Sequence, residues 1–139
     1  MKTRMYMEID AISENESFAR VAVATFISRL NPTLEEIADV KTAVSEAVTN
    51  AIIHGYDGKD GTVYITCEID ESMIHITIED KGKGIDNVDK ARELLFTTKP
   101  EEERSGMGFV FMEVFMDELL VESKLSEGTI IRMSKKIGE

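Results

Sequence analysis

Apolar and polar residues change period several times along this chain, and each change marks an element. Between Lys2 and Ala11, Met5, Met7 and Ile9 alternate with Arg4, Tyr6, Glu8 and Asp10, which predicts a strand. Ser13-Glu14-Asn15-Glu16 has the form of a capping box and opens a predicted helix to about Leu30. Phe18, Ala22, Phe26 and Leu30 form one i,i+4 stripe on it, while Val23, Ala24 and Ile27 add apolar surface on another side, around Arg20. A helix apolar on two sides can serve both its own core and a partner. Asn31-Pro32 interrupts the pattern, and Thr33 with Glu36 restarts it as a second capping box. This second helix is predicted to run to about His54, with Gly55 at its end and Ile37, Val40, Val44, Val48 and Ala51 as its core stripe.

After the Asp57–Gly61 turn the period drops to two. Thr62–Ile69 and Met73–Asp80 read as strands, the latter with Ile74, Ile76 and Ile78 on one face. A glycine-punctuated loop and a short helical stretch at 88–95 follow. The segment 96–108 lacks apolar periodicity, contains Lys99-Pro100 and a Glu-rich run, and is long enough to need a functional reason. A third helix over about Gly108–Met116 then leads into a hairpin of Leu119–Ser123 and Thr129–Ser134 around Gly128. The order β-α-α-β-β-α-β-β predicts an α+β fold, with helices layered on one face of a mostly antiparallel sheet.

Composition narrows the function classes. A formal net charge of -11 disfavours unspecific binding to nucleic-acid backbones and favours partners with basic surfaces. No apolar run approaches the length of a membrane span, Met1–Asp10 does not read as a signal peptide, and the single cysteine, Cys67, suits a reducing compartment. The expectation is a cytoplasmic protein of one domain that touches neither membrane nor nucleic acid.

Three short motifs carry candidate chemistry. Glu46 and Asn50, four apart on the second helix, project from one patch and can coordinate a hard cation or position a hydroxyl for proton removal. Asp80-Lys81-Gly82-Lys83-Gly84 places an acid at a strand end beside glycines that let a ligand approach the backbone. Arg104-Ser105-Gly106-Met107-Gly108, placed ahead of the third helix, offers free amides to phosphate. Each is weak alone, having ordinary readings as solvated surface, tight turn or helix entry.

Their order and spacing resemble the N, G1 and G2 boxes of the GHKL ATPase/kinase superfamily, with Gly128-Thr129 similar to its last nucleotide-side motif. Within that superfamily, the stretch from Ser45 to Tyr56 resembles the N box of bacterial anti-sigma factor/serine-protein kinases. Leu95–Pro100, Arg104–Phe109 and Glu14–Arg20 add to the likeness, in wording closest to the sporulation branch. The resemblance spans essentially the whole chain and implies one GHKL (Bergerat) ATP-binding domain over residues 1–139, a two-layer sandwich. It also implies ATP/ADP and Mg2+ as cofactors. Asp80 would accept a hydrogen bond from the adenine amino group, Gly82 and Gly84 would admit base and ribose, and Thr129 would lie at the same end. Asn50 would ligate Mg2+, Gly106 and Gly108 would meet phosphates, and Thr98, Lys99 and Ser105 would supply lid and phosphate contacts. Glu46 would be the base for an acceptor serine, or act electrostatically. Arg20 would contact a protein partner, and Arg104 either the partner or the γ-phosphate. The implied partners are a sigma factor, an anti-anti-sigma substrate of the STAS type and a second copy of the chain. A histidine-kinase catalytic domain would need a phosphoaccepting histidine and a dimerisation hairpin besides, and a binding module whose nucleotide only tunes its grip on a partner remains the rival.

Overall fold

The computed structural model of the chain describes residues 1–88 and 103–138, and in the second stretch the side chains from 108 onward. These residues form β1 (Lys2–Asp10), α1 (Glu14–Ile27), α2 (Leu34–Asn50), β2 (Thr62–Asp70), β3 (Met73–Asp80), α3 (Glu103–Phe115), β4 (Glu118–Lys124) and β5 (Gly128–Lys136). Residues 89–95 of the short helix expected at 88–95, and most of the unpatterned segment after it, lie outside the described residues. The strands make one sheet in the order β1-β2-β3-β5-β4, and each neighbouring pair is antiparallel. No helix among the described residues is long and apolar enough to cross a membrane.

Register explains why one face of this sheet is buried. Met5, Cys67, Ile76, Met133 and Leu119 stand side by side across all the strands, and Met7, Ile65, Ile78, Ile131 and Val121 form the next row. The helices cover these rows with Ala19, Val23 and Ile27 from α1, Val40, Val44 and Val48 from α2, and Phe109 and Met112 from α3, with Met116 just after it. One step further along the same face the pattern turns polar, and Asp80, Thr129 and Ser123 share a row. The opposite face is open to solvent and carries Arg4, Glu68 and His75 in register. Among the described residues the architecture is the α+β, two-layer arrangement the pattern predicts.

Several local expectations change. The α1 stripe that meets the core is Ala19–Val23–Ile27, whereas Phe18 is 59% exposed and Phe26 and Leu30 are partly covered. Ser13 does not form its capping box. It sits in the right-handed helical region without a side-chain cap bond, and the Glu16 N–H is taken at 3.1 Å by the Ser13 carbonyl instead of its hydroxyl. The second box forms as expected: Thr33 Oγ1 accepts from the Glu36 N–H at 3.0 Å and Glu36 Oε1 from the Thr33 N–H at 2.8 Å. The α-helix stops at Asn50, and Ala51–Gly55 continue as a π-helical turn in which Tyr56 N–H reaches back to the Ala51 carbonyl at 3.0 Å. The side of α2 bearing Ala43, Ala47 and Asn50, the last of them in the expected patch with Glu46, is buried where α3 packs along α2.

The two ends of the described chain converge on one turn. The Met1 carbonyl accepts from Glu71 N–H at 2.8 Å, and Ile137 N–H donates to the Ser72 carbonyl at 2.8 Å. Beside them, Gly138 N–H donates to Glu36 Oε2 at 2.9 Å, so the residue that caps α2 also clips the segment after β5.

Candidate functional site

Asp80 ends β3 with only 3% of its surface exposed. Its Oδ1 accepts from Gly82 N–H at 2.9 Å, and the backbone N–H of Thr129 supports the carboxylate from the next strand. Burial outweighs both, pushing the Asp80 carboxyl up to about 6. The enclosure depends on missing side chains. A Cβ on Gly55 would come within 2.6 Å of the Asp80 carboxyl, and one on Gly82 within 1.9 Å of the Gly55 carbonyl oxygen. The π-helical turn after α2 can therefore lie directly against the loop after β3, where Lys83 N–H bonds the Gly55 carbonyl at 2.8 Å. Gly84 has φ +77, a conformation other residues adopt reluctantly. Tyr56 staples the same corner, donating its hydroxyl proton to the Thr62 carbonyl at 2.6 Å and accepting from Lys81 N–H at 2.8 Å.

Thr129, also buried, faces Asp80 across the β3–β5 pair. Its hydroxyl lies 2.8 Å from Ser123 Oγ, which also accepts from Ile85 N–H at 2.7 Å and lies 3.1 Å from the Gly128 carbonyl. Asp80, the loop after it and the β4–β5 hairpin thus form one hydrogen-bonded unit.

Glu46 and Asn50 stand one turn apart on α2, with Asn50 7% exposed. Gly108 abuts Glu46, since a Cβ there would lie 3.3 Å from Glu46 Oε1. On the other side Glu46 borders a cleft of about 440 Å³ between α1 and α2, lined also by Arg20, Ile37, Lys41 and Ser45. Arg20 is held along α1 by Glu16, whose carboxylate is 3.4 Å from its Nε. One expectation fails here: Arg104, Ser105, Gly106 and Gly108 do not precede α3 but lie within it, because the helix begins at Glu103. Glycine inside a helix costs only about 1 kcal/mol against alanine, little beside the close approach to Glu46 that Gly108 permits. Thr98 and Lys99 lie outside the described residues, as do the side chains of Arg104 and Ser105.

The described side chains contain no group of three or more His, Cys, Asp or Glu that could cage a metal. Glu46 and Asn50 nevertheless form an oxygen-only donor pair, which suits a hard cation that keeps waters and phosphate oxygens. A buried carboxylate acceptor at Asp80 suits a ligand that brings a proton donor.

Gly55, Tyr56 and Ser123 complete this geometry although sequence pattern gives them no site role. Gly55 reads as a helix terminator. Ser123 is marked only by its register opposite Thr129, which emerges once β4 and β5 are paired.

Residues 11–135 match the family of histidine kinase-like ATPase domains. An anti-sigma F factor of Anoxybacillus flavithermus is 56% identical over 138 residues, covering 99% of this chain and 94% of that protein. Another, from Bacillus thuringiensis, is 58% identical over 136 residues, 97% of this chain and 93% of that one. The chain belongs to the anti-sigma F factors of the histidine kinase-like ATPase family. Solved structures agree on the fold of this family at 17% identity. The RsbU and RsbW domains of a Mycobacterium tuberculosis protein superpose with a TM-score of 0.70, over 97% of this chain and 32% of that longer one. The catalytic domain of the histidine kinase ThkA gives 0.60 over 96% of both chains. Membership of an ATPase-domain family makes this chain a nucleotide-binding protein.

Proposed function

We propose that this chain binds and inhibits a sporulation sigma factor and, as an ATP-dependent serine kinase, phosphorylates and inactivates a STAS-type anti-anti-sigma antagonist. The observation that carries the reading is the cleft between α1 and α2, which Arg20 and Glu46 line together. It joins a partner-contact residue to a candidate base on one continuous surface, with Gly108 of α3 against the other side of that base. The anti-sigma F factor name borne by relatives 56% and 58% identical supports a sigma factor as the inhibited partner. Phe18 and Val21, 59% and 52% exposed on α1, offer apolar surface to a second copy in a homodimer.

In this reading Asp80 takes a hydrogen bond from the adenine amino group, and Gly82 and Gly84 let base and ribose lie close. Gly106 and Gly108, with Thr98, Lys99 and Ser105, meet the phosphates. Asn50 holds Mg2+, which when bound offsets the charge of the transferred phosphoryl group. Glu46 orients the acceptor serine. It takes the hydroxyl proton as the serine oxygen bonds to the γ-phosphorus, while the bond to the bridging oxygen breaks and ADP leaves. The proton then passes to water. Arg20 and Arg104 steady the incoming protein.

Intact-protein mass spectrometry of an antagonist incubated with the chain and Mg-ATP tests this. We expect a gain of one phosphate, stable in acid, and at least a hundredfold slower gain with Glu46→Gln, in line with the usual worth of a general base. No gain from a folded, ATP-binding chain would leave a binding module in which nucleotide acts only as a conformational ligand.

A further inference from the structure

The hydroxyl group of Ser123 has one proton and two lone pairs, and three neighbours claim them. Ile85 N–H, at 2.7 Å, can only donate. The Gly128 carbonyl, at 3.1 Å, can only accept. Thr129 Oγ1, at 2.8 Å, can do either. Only one arrangement satisfies all three. Ser123 gives its proton to Gly128, accepts from Ile85, and accepts a second time from the Thr129 hydroxyl. The Thr129 proton is thereby committed to Ser123, and its oxygen turns lone pairs alone toward whatever approaches it. Cross-strand pairing sets Thr129 beside Asp80, whose carboxylate is itself an acceptor.

We infer that Ser123 is a specificity-determining residue for the nucleotide base, acting through the direction of the Thr129 hydroxyl rather than by touching the base. With that hydroxyl locked as an acceptor, the end of the site formed by Asp80 and Thr129 welcomes a group or bridging water that brings a proton. At its 6-position a 6-amino purine brings one, whereas a 6-oxo purine presents an acceptor there and is repelled. Asp80 alone leaves a gap in this discrimination, because a freely turning threonine hydroxyl beside it could donate to the 6-oxo group. Ser123 closes the gap.

The inference rests on the adenine-nucleotide reading above, and ATP and ITP separate the two. Both carry the same sugar and phosphates; ATP has a 6-amino group beside an unprotonated N1, ITP a 6-oxo group beside N1–H. Calorimetric titration of the wild-type chain should show ATP preferred. In Ser123→Ala the ratio Kd(ITP)/Kd(ATP) should fall about tenfold, the usual worth of one hydrogen bond made or denied, mainly through tighter ITP binding. Thr129→Val removes the acceptor without disturbing the Ile85–Ser123 bond and should also narrow the ratio, through weaker ATP binding. An unchanged ratio in folded Ser123→Ala, or equal loss of both nucleotides, would overturn the inference, since Ser123 would then merely brace the loop. If Ser123→Ala does not fold, an unchanged ratio in Thr129→Val overturns it equally. A wild-type chain that binds neither nucleotide would instead sink the adenine reading itself.

Discussion

Asp80 shows how one residue can be kept at a cost to the fold. Its backbone donors favour the charged form, but burial wins, and the carboxyl is pushed up to about 6 from an ordinary 3.8. A raised acid binds its proton more tightly in the native state than in the unfolded one. Its contribution to stability is therefore fully present below about pH 4 and is lost as pH rises through about 6. Wild-type protein should lose stability relative to Asp80→Asn between those values, by on the order of 1 kcal/mol, with the difference level above pH 7. Urea midpoints across that range measure it. The variant's constant offset does not matter, and a flat difference throughout would mean that Asp80 is not strained by burial. The same variant should bind ATP poorly, since it sets an amide among the backbone donors that aim at Asp80.

At the scale of elements, α2 organises the site. It carries Glu46 and Asn50, and the π-helical turn beyond it lays Gly55 against Asp80. Its start is fixed by the reciprocal bonds of Thr33 and Glu36, and the Glu36 carboxyl is held below its usual range by the backbone N–H of Thr33 and then that of Gly138. Thr33→Ala should cost about 1 kcal/mol, the usual worth of an N-cap, read as a lower urea midpoint with unchanged slope. No shift would show that the cap is redundant with the packing of α2. Two capping-box sequences are legible in this chain, and only the second forms. At Ser13 the backbone closes a turn on itself and uses the very N–H that the side chain would have capped. Periodicity of two also sufficed for the strands, because burial on a single face forces alternation. The helices were harder. α1 is apolar on two sides, so its pattern could not say whether Phe18 or Val23 faced inward. The glycines before Phe109 look like a helix boundary in sequence, yet α3 continues through them.

Across the whole molecule, the sheet has one covered and one bare face, and the candidate site around Asp80 lies where the covered face runs out of apolar rows. The boxes around Asn50, Asp80 and Gly108 could be found in sequence because their spacing along the chain is distinctive. Ser123 could not, since its role exists only through pairing between β4, β5 and the loop after β3.

The turn at Glu71-Ser72 gathers Met1 on one side and Ile137 on the other, at the end of β3 remote from Asp80. Chain connectivity at that end is therefore separable from the chemistry at the other. A circular permutant that joins residues 138 and 1 through a short glycine-serine bridge, and opens at the exposed Asp57–Gly61 turn, should fold. Because the new opening adjoins Tyr56 and Gly55, it should bind ATP more weakly than wild type, while one opened at the Leu125–Glu127 turn should disturb the Ser123 hydroxyl directly. Fluorophores attached near residues 1 and 138 should likewise stay close together until the sheet unfolds, giving a proximity signal for global unfolding that nucleotide alone leaves unchanged.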